Sequence, residues 1–178
     1  MQFDPFDQRL GFKRKQSKVI ERTLFPSLVS SFEFYDSAID VRRKYFALST
    51  DETTSDWYEI LIELSDFAVV AKETTIRNDR SYLGQNGMTY FIRKGETTET
   101  IYFLDGQGGP KPYVSKTFRY NPSITERTWV TRVHDENIIA FYTNHLFEDL
   151  KTYAKENKLS FREKWDLVMI MKHYQSLL

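Results

Sequence analysis

Six carboxylates, Asp51, Glu52, Asp56, Glu59, Glu63 and Asp66, fall between Lys44 and Lys72 with no Lys, Arg or His among them. Acids at this density can do two kinds of chemistry. They can present an anionic surface that steers toward a cationic partner. Alternatively, two of them can divide acid and base roles, if burial sets their pKa values apart. The second use needs a carboxyl withdrawn from water. Read as a helix, the segment places Glu59, Glu63 and Asp66 opposite an apolar stripe of Trp57, Ile60, Leu61, Leu64, Ala68 and Ala71, so the pattern predicts solvated carboxylates. Acids near a helix start suit the macrodipole, which accounts for Asp56 and Glu59. It does not account for the missing lysines, because Glu and Lys pairs four apart are the usual helix-surface solution. The reading is therefore an acidic contact surface.

Charge elsewhere is also uneven. Residues 1–20 hold five basic side chains against two acids, and residues 108–134 hold Lys111, Lys116, Arg119, Arg127 and Arg132 against Glu126, while the whole chain sums to zero. A neutral total gives no general attraction to nucleic acid or to an anionic membrane.

Other chemistry is thin. The three histidines are His134, beside Asp135 and Glu136, His145, followed by Glu148 and Asp149, and His173. Their spacing matches no zinc motif, and no G-x-S-x-G elbow is present. With no cysteine, thiolate catalysis, disulfides and cysteine-ligated metal centres are excluded. No catalytic residue, metal ligand or cofactor is expected.

The stretch "FLDGQGGPKPY", residues 103–113, holds three of the seven glycines and two of the five prolines. A phosphate cradle needs glycines followed by a helix whose amides point at the anion. Here the spacing fits neither G-x-G-x-x-G nor the P-loop, a strand pattern follows, and Pro110 and Pro112 remove two amides. The stretch reads as a hairpin bend. Its connection, Asp105 to Lys111, exceeds the usual two to five residues, which marks it as a contact element.

The elements that must position these groups follow from periodicity. Pro5 and Gly11 break any pattern in residues 1–16, leaving an extended arm. A short helix is expected from Ser17 to Phe25. A second, opened by Ser37 and Asp40, should carry Val41, Tyr45 and Leu48 on one face, and the acidic helix follows. From Met88 the period becomes alternating: "MTYFIRK", "ETIYFL", "PYVSKTFRYN" and "RTWVTRVH" read as four strands, with room for a fifth between Lys72 and Gly87. Asp135 should cap a helix to about Glu156. "SFRE", 160–163, has capping-box spacing before a last helix that buries Phe161, Trp165, Val168 and Tyr174.

The expected fold is a single α+β domain over 1–178, with N-terminal helices, a central antiparallel meander of four or five strands, and two C-terminal helices on one sheet face. The 28 aromatic residues are expected to supply the core, with some of them on a contact surface. No apolar h-region opens the chain and no run reaches membrane-span length, so a cytoplasmic protein is expected.

The function expected on these grounds is a non-enzymatic inhibitor of immunity or antitoxin type. It blocks a basic toxin or nuclease through Asp51, Glu52, Asp56, Glu59, Glu63 and Asp66, with Asp105, Gln107, Lys111 and Tyr113 as the loop contact. A rival reading uses the sheet as an aromatic platform for single-stranded nucleic acid, with Lys116, Phe118 and Tyr120 on one face and Tyr113 and Arg119 on the other. A third is a small metal- or ligand-dependent enzyme whose site assembles from distant residues.

Overall fold

A computed structural model describes residues 2–4, 9–12, 22–36, 40–49, 55–77, 80–83, 89–92, 95–121 and 124–178. Its centre is a seven-stranded antiparallel sheet. The strands are β4 (Ser31–Asp36), β5 (Val41–Ser49), β6 (Ser55–Glu63), β7 (Phe67–Arg77), β10 (Gly95–Asp105), β11 (Lys111–Asn121) and β12 (Ile124–His134), paired in chain order. Strands β1 (Gln2–Asp4), β2 (Arg9–Phe12) and β3 (Arg22–Leu24) form a separate three-stranded sheet.

Strands β8 (Arg80–Leu83) and β9 (Thr89–Ile92) form a two-stranded ladder between β7 and β10. Arg77 lies opposite Gly95 and Arg80 opposite Ile92, so the register is the same in both ladders. The small ladder lies within the connection from β7 to β10.

The fold class is α+β, as expected, but among the described residues of the N-terminal half strands stand where helices were predicted. In β4, half-buried Phe32, Phe34 and Asp36 alternate with exposed Ser31, Glu33 and Tyr35, a period of two. Of the expected capping pair, Ser37 lies outside the described residues and Asp40 is a turn residue with φ of 56°, a left-handed conformation that Asp tolerates and a helix does not contain. Of the predicted 17–25 helix, residues 17–21 lie outside the described residues, and Arg22–Leu24 are β3, with Phe25 just beyond it.

The acidic helix is in fact the β6–β7 hairpin, closed at Ser65 and Asp66, with the Leu64 amide donating to the Phe67 carbonyl at 2.9 Å. Its strands are buried on both faces: Trp57, Val69 and Ala71 on one, Tyr58 and Val70 on the other. Two-sided burial turns a strand into a nearly continuous apolar run, and such a run contains helical spacings by chance. A bulge at Leu61 then puts Glu59 and Glu63 on opposite faces.

The C-terminal elements follow the expectation more closely. Helix α1 (Glu136–Thr143) is N-capped by Asp135, whose side chain accepts from the Asn137 amide. A 3₁₀ turn over Asn144–Leu146 leads into α2 (Phe147–Glu156), so the single predicted helix is broken at Asn144, with φ of 48°. Helix α3 (Lys164–Leu177) starts one residue after "SFRE", and Ser160 accepts from the Arg162 amide without forming a capping box.

One face of the sheet and the three helices share the core. Phe67, Val69, Ile101, Phe103, Tyr113 and Val114 meet Ile139, Leu150, Leu167, Ile170, Met171 and Tyr174. Each such side chain contributes about 1.5–3 kcal/mol of burial. Trp165, predicted inward, lies 43% exposed, because Leu167, Ile170 and Met171 take the inner stripe of α3.

Candidate functional site

The alternation of the strands decides which charges point under the helices. Cross-strand partners share a face, and the register Tyr45–Glu59–Ala71–Ile101 places Glu59 on the helix side. Glu73 and Glu99 sit directly opposite each other on the same face. Arg43 reaches the group from β5 and Lys164 descends onto it from the first turn of α3. With Tyr45, Trp57 and Ala71 these five charges enclose a cavity of about 10 Å³, room for one water.

Every strong contact inside is charge-assisted. Arg43 donates from Nε and Nη2 to the two oxygens of Glu59, each at 2.7 Å. Lys164 donates to Glu59 and to Glu99, each at 2.8 Å. Asp36 lies 3.5 Å from Arg43 at the edge, and Lys116 pairs with Glu163 immediately before α3. Burial opposes the charge on Glu59, yet Arg43 and Lys164 outweigh it and hold the carboxyl below the ordinary carboxylate range. Burial likewise opposes the Lys164 cation, and the two glutamates keep its pKa raised. Glu73 moves the other way: burial first, then neighbouring Glu99, favour its neutral form.

The six predicted acids therefore do not form one outward patch. Glu59 is internal. Asp56 pairs with Lys72 and Glu63 pairs with Lys44, both on neighbouring strands, and Asp66 is exposed in the β6–β7 turn. Asp51 and Glu52 lie outside the described residues. The missing lysines of the acidic segment are supplied by adjacent strands and by α3, which no local pattern of one segment can show.

The loop residues are brought together differently. Asp105, the last residue of β10, accepts from the Tyr142 hydroxyl at 2.6 Å, from Lys111 at 3.1 Å and from the Gln107 amide at 3.1 Å. Those three hydrogen bonds, Tyr142 first, hold its carboxyl at about 2. The loop is thereby stapled to α1. Gly106 and Gly109 face open space, Gly108 has only an ordinary contact with Asp105, and none of the three adopts the left-handed region, so no close backbone approach requires them.

Beyond the staple lies an open hollow of about 180 Å³ lined by Lys111, Asn137, Ile138, Phe141 and Tyr142. The Lys111 ammonium sits 5.1 Å from the centres of both the Phe141 and Tyr142 rings. Phe141 is 71% exposed. Tyr113, expected at the contact, is fully buried instead, packed edge-on to Phe103 at 5.3 Å. An extra residue at the β10–β11 bulge turns it inward beside Val114.

The histidines stay apart. His134 lies 3.4 Å from the Tyr113 hydroxyl, with its pKa lowered by burial and by Arg162; His145 is exposed; His173 stacks on Tyr153 with centroids 3.8 Å apart. Among the described residues no group of three His, Cys, Asp or Glu side chains is arranged to hold a metal ion. No described helix is long and apolar enough to cross a membrane.

These features define an α+β protein built on an antiparallel meander, with an internal ion cluster at one end of α3 and an exposed aromatic ring beside an open hollow on α1. No family model, curated protein or solved structure matches the chain.

Sequence reasoning missed Arg43, Glu73, Glu99 and Lys164 in the cluster, and Phe141 and Tyr142 at the surface. A period-two reading of β5, β7 and β10 would have found three of them, because Arg43, Glu73 and Glu99 share their alternation with Tyr45, Ala71 and Ile101.

Proposed function

We propose that the chain is a non-enzymatic protein-binding module that docks its partner through the β10–β11 loop and the outer side of α1. The observation behind this reading is Phe141. A ring left 71% exposed on a helix, braced by a cation and bordered by a hollow, is a ready anchor. Covering it is worth about 2 kcal/mol of apolar burial. Anchors of this type carry most of the energy of an interface while the polar rim excludes water. The Asp105 staple adds preorganisation, since a loop already ordered loses little entropy on docking.

The finer reading, an immunity-type inhibitor facing a basic toxin or nuclease, depended on an anionic surface. The described acids are mostly engaged in ion pairs, so the contact proposed here is aromatic. The nucleic-acid platform loses Tyr113 to the core.

The test is site-specific crosslinking in the native host. A photoreactive phenylalanine analogue at position 141 should give one discrete adduct, and the same analogue at exposed Lys158 should not. Phe141→Asp should abolish co-purification of the adducted protein while leaving the melting temperature unchanged. Identical adducts from both positions, or none from position 141, would overturn the assignment.

A further inference from the structure

Along α1 and the turn that follows it, Asn137, Phe141, Asn144 and His145 are exposed on one stripe, and none of them is an acid, a lysine or an arginine. Glu136, the exposed charge of α1, falls about 140° around the helix from Phe141. The next helix is the opposite case, because Glu148, Asp149, Lys151, Lys155 and Glu156 are all exposed on α2. Interface centres are depleted of charge and enriched in aromatic rings, so α1 has a composition that α2 lacks. Phe141, in the middle of the stripe, is the most exposed large apolar side chain among the described residues.

The same surface holds a receptor for such a ring. The hollow beside Phe141 measures about 180 Å³ and is bounded by Asn137 and Ile138 on the helix and by Lys111 from the start of β11. A protein cavity of about 150 Å³ takes up one benzene ring. Asp105 fixes the Lys111 ammonium at 3.1 Å, where it stands 5.1 Å from the centres of the Phe141 and Tyr142 rings. A hollow with a cation in its wall favours the face of an incoming aromatic ring and disfavours a basic side chain. Knob and hole thus lie side by side on one surface, which is what a self-complementary pair requires.

We propose, resting on the docking role of Phe141, that the partner is a second copy of this chain: two α1 helices pack antiparallel about a twofold axis, each seating its Phe141 ring in the hollow of the other.

The position of the hollow sets the register. It lies on the Asn137–Ile138 side of the ring, so Phe141 of one copy faces Ile138 of the other and the axis passes at the level of residues 139 and 140. Antiparallel packing also sets the N-terminus of each helix beside the C-terminus of the other, the favourable arrangement of their dipoles. Each Lys111 is then covered by a ring from the other copy, and a desolvated cation is held more strongly by an aromatic face. With eight residues α1 is about 12 Å long, so the contact belongs to the small class, below about 1,200 Å², and the pair assembles only at high protein concentration.

Sedimentation velocity of the purified chain reads the mass directly. The weight-average mass should rise from one copy toward two between about 10 μM and about 1 mM, and go no higher. Phe141→Ala should stay a single copy throughout with an unchanged melting temperature. Lys111→Met should weaken the pair about tenfold, since the cation is lost from both symmetric contacts, and Lys111→Arg should restore it. Met169→Ala removes a different exposed apolar side chain, on α3, and should leave assembly as in the wild type. A pair that persists in Phe141→Ala, an equal loss in Met169→Ala, undiminished pairing in Lys111→Met, or growth beyond two copies would each overturn the twofold contact. A chain that stays single at every concentration while its position-141 adduct in the host is a different protein overturns the self-pairing and leaves the docking role of Phe141 standing. A single chain with no adduct at position 141 removes both.

Discussion

Arg43 on β5 grips Glu59 on β6 through two hydrogen bonds of 2.7 Å, and the same carboxylate accepts from Lys164, 105 residues further along the chain. Glu59 thus joins adjacent strands to the start of the last helix. Its side chain is 5% exposed, so the pairs operate in a low-dielectric setting where losing one partner strands the others.

Glu59→Ala should accordingly destabilise the fold by about 3 kcal/mol, because it leaves Arg43 and Lys164 without their shared carboxylate. Glu63→Ala removes an acid only four residues away, but its pair with Lys44 is exposed on both sides, and the change should stay within about 0.5 kcal/mol. Urea titration of the two variants at neutral pH makes the comparison. Similar losses in both would contradict the separation of an internal from a surface carboxylate.

Acid should loosen the β10–β11 loop before the helices. The Asp105 carboxyl is depressed by Tyr142, Lys111 and the Gln107 amide, so its contribution is present above the unfolded aspartate pKa and is lost as pH falls toward about 2. Asp105→Asn should lower the melting temperature at pH 7, and its difference from wild type should vanish near pH 2. A difference that persists undiminished in acid would place the stabilisation elsewhere. Thermal scans across that range decide it.

The glycines of the loop are predicted to be dispensable. A Cβ at Gly109 meets nothing within 4 Å, and the residue does not need the left-handed region. Gly109→Ala should be neutral or stabilise by about 0.4–1 kcal/mol, by reducing the freedom of the unfolded chain. Inorganic phosphate should leave the melting temperature of either protein unchanged. A large loss of stability, or a phosphate-dependent rise abolished by the substitution, would revive a phosphate-cradle role for the loop.

The sequence by itself determined the α+β class, the strands from β9 to β12, the cap at Asp135 and the hairpin nature of the glycine loop. In these places the local signal stands alone: alternation through β-branched and aromatic residues, an N-cap that needs only its own amides, prolines that remove donors. The tertiary structure decided the rest. Val69 and Val70 are both buried because β7 is covered on both faces, and a strand in that position loses the period that distinguishes it from a helix. The fate of the acids was decided there too. Whether Glu59 meets water or Arg43 and Lys164 depends on strand register and helix docking, and charge pairing across 105 residues leaves no trace in the spacing of either segment.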